Sequence, residues 1–148
     1  LHTITMSALS AQDPAEARNY FDHMLALSQD VAHKPYELYA LGMLGHLHEA
    51  NNKPDIAISY YGQAADLARA VMNPQYEARY LYAIGTVYLS TQDFDLARDY
   101  YNQAKDIYQA LDDGRNANRI TASIVYSYLL AFASRIMSLI GMSPKHTD

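Results

Sequence analysis

Residues 41–64 read LGMLGHLHEANNKPDIAISYYGQA, and residues 81–104 read LYAIGTVYLSTQDFDLARDYYNQA. Laid one over the other, the two stretches repeat the same pattern 40 residues apart. Leu41 recurs as Leu81, Gly45 as Gly85, Ala57 as Ala97, Tyr60-Tyr61 as Tyr100-Tyr101 and Ala64 as Ala104. Upstream, Tyr36-Glu37 returns as Tyr76-Glu77. A fixed period of about 20–50 residues marks a stacked repeat, in which each unit buries its apolar face against its neighbours.

Moving back by one period exposes a third copy. Gln12-Asp13-Pro14-Ala15-Glu16-Ala17 lies 40 residues before Asn52-Lys53-Pro54-Asp55-Ile56-Ala57, and Gln92-Asp93-Phe94-Asp95-Leu96-Ala97 follows at the same step. Each begins with turn-favouring polar residues and runs into an apolar pattern. Pro14 and Pro54 suit a first helical turn, whose N–H groups lack intrahelical partners anyway. Asp13 and Asp93 read as N-caps. From these starts the columns Ala17/Ala57/Ala97, Tyr20/Tyr60/Tyr100, Phe21/Tyr61/Tyr101, Met24/Ala64/Ala104, Leu27/Leu67/Ile107 and Val31/Val71/Leu111 recur at steps of three and four. Such steps put the columns on one helix face, with Asp22, Gln63, Asp66, Arg69, Gln103, Lys105 and Asp106 on the other.

Each of these B helices is preceded by an A helix, from about Tyr36 to Ala50 and from about Gln75 to Ser90. Lys34-Pro35 and Asn73-Pro74 end the helices before them, because the residue ahead of proline is pushed out of the α region. Gly45 and Gly85 sit mid-helix, where glycine costs about 1 kcal/mol against alanine. The same cost twice implies a close helix crossing, with Ala57 and Ala97 as the expected facing residues. Residues 1–10 read as a truncated first A helix.

Asp112-Asp113-Gly114 is a stop signal. Beyond it lies an apolar segment, about Asn116 to Ile140, whose first half keeps the register: Ile124 falls under Ile84 and Tyr128 under Tyr88. Val125 replaces the glycine, and no turn appears near residues 131–133. One long helix is expected there, buried as a cap on the last repeat. Ser143-Pro144 opens a frayed tail. The division is a single domain over 1–148, with repeats at about 1–32, 35–72 and 75–112 and a capping helix at about 116–140.

Composition narrows the function classes. Half of the 148 residues are hydrophobic and 18% are charged, ordinary for a folded chain. The formal net charge of −5 argues against direct nucleic-acid binding. Without cysteine there is neither disulfide nor thiolate metal site, and the redox compartment stays open, with the cytoplasm favoured. The chain opens on Leu1 without a signal-like segment, as a piece of a longer protein would. Ile124–Met142 is apolar enough to raise a membrane span, but Arg135 and Ser127, Ser134 and Ser138 would have to enter lipid, so no insertion is expected.

The pattern resembles the tetratricopeptide repeat. That motif places a large residue, leucine-glycine and tyrosine in helix A, then alanine, an aromatic and alanine in helix B. Here it reads Leu41, Leu44-Gly45, His48, Ala57, Tyr61, Ala64, and then Leu81, Ile84-Gly85, Tyr88, Ala97, Tyr101, Ala104. The family's common period is about 34, so these units carry six extra residues, as do the long repeats of kinesin light chains and of peptide-sensing regulators in Gram-positive bacteria. The proline that usually follows helix B has no counterpart at Arg69 or Gln109. The resemblance covers residues 12–111 and implies an all-α superhelix, a right-handed solenoid of antiparallel helix pairs.

Catalytic chemistry finds little footing. His46 and Glu49 lie one turn apart, yet a metal needs a third ligand. His48 stands where Tyr88 stands and reads as a packing residue, and His23 reads as solvated. No nucleophile elbow or phosphate loop is present, and Asp112-Asp113-Gly114 lacks the alternating acids of a calcium loop. The tyrosine pairs, being at helical spacing, read as core. No enzyme activity, cofactor or metal is expected.

The resemblance directs attention to the concave surface lined by the A helices. By register its inward positions are Tyr39, Gly42, His46 and Glu49, then Arg79, Tyr82, Thr86 and Leu89, then Arg119, Ala122 and Tyr126. The carboxylate clamp of some members needs lysine and asparagine where Gly42, His46 and Ala83 stand, so only Arg119 suits it. The leading reading is a protein- or peptide-binding module, the interaction or sensory part of a larger, bacterial regulatory protein. Tyrosines would supply contact area and arginines charge selection. The alternative is a homodimer, or docking of a neighbouring domain, through Ile120, Leu129, Phe132, Ile136 and Leu139.

Overall fold

A computed structural model describes residues 14–141. The expectations for residues 1–10, for Asp13 as a cap and for the tail at Ser143-Pro144 lie outside that range. Among the described residues six helices follow one another: α1 (Pro14–Asp30), α2 (Lys34–Ala50), α3 (Pro54–Ala70), α4 (Pro74–Ser90), α5 (Phe94–Ala110) and α6 (Gly114–Leu139). The first five have 17 residues each. Three-residue connections then give a step of 20, so the 40-residue sequence period is one antiparallel pair. Each helix packs on the next, and among the described residues there are no strands. This is the all-α superhelix that the repeat resemblance implies.

The connections are built alike. Ala32, Asn52, Met72, Gln92 and Asp112 all have φ between 54° and 65°. Each lies at the left-handed position that closes a helix, where the next N–H bonds back to a carbonyl of the last turn. His33 N reaches the Ser28 carbonyl at 2.7 Å, and Asp113 N reaches that of Tyr108 at 2.9 Å. That next residue also opens the following helix: His33, Asn73, Asp93 and Asp113 accept from the backbone N–H three residues on. One residue thus ends one helix and caps another, which keeps the step constant. Asp112 supplies the positive φ that sequence would assign to Gly114, and Gly114 instead begins α6, two residues earlier than expected.

The core runs along the helix pairs. Phe21, Tyr61 and Tyr101, one column of the repeat, are almost fully buried, as are Ala57 and Ala97. The atoms nearest to the glycines belong to that column, with the expected Ala97 beside it at Gly85. A Cβ on Gly45 would stand 2.5 Å from the Tyr61 ring, and one on Gly85 2.7 Å from that of Tyr101. At Gly85 the Ala97 carbonyl also comes near, at 3.1 Å. Glycine is there to let a tyrosine ring cross the A helix. Burying such a side chain contributes about 2–3 kcal/mol, more than the glycine's helix penalty. The outer columns are less covered than their spacing suggests, with Leu27 and Val31 exposed.

The terminal helix departs furthest from expectation. It is one helix, and its first half packs on α5 through Ala117 and Ile120. Arg98 of α5 holds its middle, with the guanidinium 4.3 Å from the Tyr128 ring centroid. With 26 residues it is nine longer than the others, extending about 14 Å further. Past Ser127 it is not buried: Leu129 is 61% exposed, Phe132 66% and Leu139 81%. It caps the stack with its first half only. By length and composition α6 is also apolar enough to cross a membrane.

Candidate inward-facing binding surface

The A helices α2, α4 and α6 touch one another side by side. Tyr80 of α4 donates its hydroxyl to the Leu38 carbonyl of α2 at 3.1 Å, and its ring fills the space above Gly42. Gly42 is therefore a buried packing position, although register assigned it to the open surface. Burial pushes the Tyr80 phenol up to about 12. From α6, Ser123 Oγ lies 3.2 Å from the Tyr82 hydroxyl, and the Arg119 guanidinium lies 5.4 Å from the Tyr82 ring centroid. The three helices thus form one layer.

Two polar clusters stand on this layer, one per repeat. In the first, the Tyr61 ring crosses the Gly45 notch and its hydroxyl emerges between His46 and Glu49. It donates to Glu49 Oε2 at 2.7 Å and lies 2.8 Å from His46 Nδ1. With the phenol proton given to Glu49, the imidazole carries its hydrogen on Nδ1 and donates to the phenol oxygen. The direct His46–Glu49 separation is 3.7 Å, so the phenol is the effective link. His46 first, and Tyr61 less strongly, hold the Glu49 carboxyl below the usual range, against an opposing effect of burial that lies between the two. The Tyr61 phenol is pushed up, by burial first and by Glu49 second. Among the described residues no three metal-ligating side chains converge.

The second cluster repeats the geometry with different partners. Tyr101 crosses at Gly85 and donates to Thr86 Oγ1, a longer contact of 3.4 Å. Its ring centroid lies 5.2 Å from that of Tyr82, and burial raises its phenol. Tyr82 is thus braced by Tyr101, Ser123 and Arg119, and Thr86 also bonds the Tyr82 carbonyl at 3.1 Å. Glu49 gives way to Leu89 one repeat on.

The other expected residues are more isolated. Tyr39 sits at the edge of the layer, its ring 6.2 Å from Phe21. Burial, then Tyr20, raises its phenol. Arg79 is exposed and has no ion pair among the described residues; Tyr126 is exposed and stands apart from both clusters. Of the residues assigned to self-association, Leu129, Phe132, Ile136 and Leu139 are exposed, but Ile120 is fully buried and belongs to the core. Ile120 occupies the Tyr80 column, whose side chain points into the stack.

Sequence reasoning placed Tyr61 and Tyr101 in the core and missed their hydroxyls. The signal was present: Phe21 fills the same column in the first repeat, so the two tyrosines signal that an oxygen is wanted. The candidates for its partners lie 15 residues earlier, at His46 and Thr86.

Two recesses lie away from this layer. One, of about 470 Å³, is bounded by the α4–α5 connection, Arg98 and the far half of α6; the other, of about 270 Å³, lies between the start of α1 and the end of α2. The Arg98 cation is already engaged by Asp95 and by the Tyr128 ring. The inward layer is instead an open surface, the form suited to an extended partner.

A family model described as tetratricopeptide repeat matches residues 6–70 and again 47–110. The matched region takes in α1 to α5 and ends before α6. No curated protein matches the chain.

Proposed function

The chain belongs to the tetratricopeptide repeat family, and on that premise we propose that the α2–α4–α6 layer binds a peptide or protein segment. Members of the family are generally interaction modules. The observation that carries the reading is the braced Tyr82, between Tyr101, Ser123 and Arg119, beside the polar cluster at Tyr61. Rigid aromatics flanked by a free arginine and an open imidazole provide contact area at low ordering cost, the composition of interaction hot spots. The 40-residue unit supports a place beside the long-repeat members, and with it a role as the interaction or sensory part of a larger regulatory protein. Panning random 12-residue peptides against the full chain is expected to return binders. Tyr82→Ala should weaken them about tenfold with the helical circular dichroism unchanged. Binders that ignore this substitution would move the site elsewhere.

A second reading is favoured by the exposed half of α6. Val125, Leu129, Phe132, Ile136 and Leu139 follow one another at steps of four, three, four and three, the seam of a helix that packs lengthwise on another. Val125 occupies the column of Gly45 and Gly85, so a following B helix cannot send a tyrosine across as α3 and α5 do. A second copy of α6, seam to seam, suits the face. Sedimentation over a concentration range should then show a dimer that Phe132→Asp dissociates. A monomer, or a chain that pellets with anionic vesicles, would reject it.

A further inference from the structure

The recess of about 270 Å³ at the first unit is bounded by Pro14, Ala15 and Arg18 of α1, His48 of α2, and Asn51 and Lys53 just beyond it. Arg18 and Lys53 are exposed, and neither has an ion pair among the described residues. His48 is 9% exposed, with its ring stacked on that of Tyr60 at 5.4 Å. Its Nδ1 is enclosed and has no hydrogen-bond partner among the described residues. An enclosed N–H without an acceptor is the costlier arrangement, so the neutral ring carries its proton on Nε2. Nε2 is then the donor that His48 offers the recess. Asn51 Nδ2 is tied to the Leu47 carbonyl at 2.7 Å.

This set is particular to the first unit. Forty residues on, the places of Arg18, His48 and Lys53 are held by Ile58, Tyr88 and Asp93. Ile58 and Tyr88 pack against the core there. Forty further on an arginine returns as Arg98, but Asp95 pairs with it and the Tyr128 ring lies against it. Asp55 and Asp95 stand where the first unit has Ala15. The first unit thus has the arginine without the aspartate that compensates it, and adds a lysine. Helices α3 and α4, and α5 and α6, pack on one another without this set, so stacking does not require it. Burial first, then Lys53 and Arg18, lower the His48 pKa, and Asp22, the acid that acts on the ring, opposes them less strongly.

We propose that Arg18, Lys53 and His48 form a binding site for a phosphate group, either free or carried by a small molecule. Such a site is independent of what the inward layer binds. A phosphate dianion matches the two cations in charge. Its oxygens accept at once from a guanidinium, an ammonium and an imidazole N–H. A carboxylate has one charge and leaves one of the cations uncompensated. With both compensated, His48 takes up a proton more readily, so phosphate binding and His48 protonation are coupled.

Titrating the full chain with inorganic phosphate, at an ionic strength held constant with chloride, tests the site. The His48 ring resonance should shift and saturate, and its titration midpoint should rise above that in chloride alone. Arg18→Gln and Lys53→Gln should each weaken phosphate about tenfold. Ala15→Asp, which copies the later units and gives Arg18 an acid, should weaken it as much. Arg115→Gln, at the start of α6, should leave it unchanged. Glycerol phosphate that displaces phosphate would assign the site to phosphorylated small molecules. Glycerol phosphate that fails to do so would assign it to inorganic phosphate, and either result supports the site. A midpoint that moves equally in chloride would show only screening of the two cations and overturn it. Phosphate binding that Arg18→Gln and Lys53→Gln leave unchanged would overturn it too. Acetate that binds as tightly as phosphate would overturn the phosphate assignment.

Discussion

Helices α4 and α6 hold the same place in successive units and end differently. In α4 the glycine column admits the Tyr101 ring, and its apolar side chains are covered by α3 and α5. In α6 the same column holds Val125, 53% exposed, and the helix runs on past the stack with an apolar seam in the open. One missing side chain thus separates a helix that admits a tyrosine ring from one that presents a valine in its place. The family match stops at residue 110, before α6.

The largest test of that comparison exchanges the two residues. Gly85→Val places a branched side chain where even a Cβ meets the Tyr101 ring at 2.7 Å. It should destabilise the chain by about 3 kcal/mol, read from the denaturant midpoint. Val125→Gly removes no buried contact and should cost only the helix penalty of about 1 kcal/mol. Equal effects would mean that the notch does not define the stacking unit.

A smaller effect separates the two tyrosine crossings. Tyr61→Phe removes a phenol that links Glu49 and His46 and should cost about 1.5 kcal/mol, since one partner is charged. Tyr101→Phe loses only a 3.4 Å contact to Thr86 and should cost about 0.5 kcal/mol. Thermal melts of both variants check the order, and a reversed order would make the Glu49 link incidental.

The smallest concerns His48 and Tyr88, one column of the repeat. Their rings stack on Tyr60 and Tyr100 at 5.4 and 5.5 Å. Burial, then Lys53 and Arg18, lowers the pKa of His48 in the folded state, so the unfolded chain binds the proton more readily. Stability from this site is complete above the ordinary histidine value of about 6.5 and is lost as pH falls through the depressed folded value. The melting temperature should therefore drop between pH 7 and pH 5. His48→Tyr, copying the next repeat, should flatten that slope while leaving the contribution of Glu49 below pH 4.5 in place. An unchanged slope would assign the pH dependence elsewhere.

What the sequence by itself determined is the period, the two helices per unit, the buried face of each and the positions where no side chain is tolerated. These are local or nearest-neighbour properties. Size and polarity at fixed register carry them, and three copies make the register legible. The inward positions were assigned from the same register, which fixes the helix that carries each of them but not what surrounds its side chain. Tertiary structure alone decided the rest. It brought the Tyr61 and Tyr101 hydroxyls across the A helices, buried Gly42 under Tyr80 and Ile120 in the core, and left the far half of α6 uncovered. It also placed Ala32, Asn52, Met72, Gln92 and Asp112 at positive φ without glycine. Each outcome depends on what lies across a helix interface or a closing turn, and a hydropathy pattern reports burial without naming the neighbour.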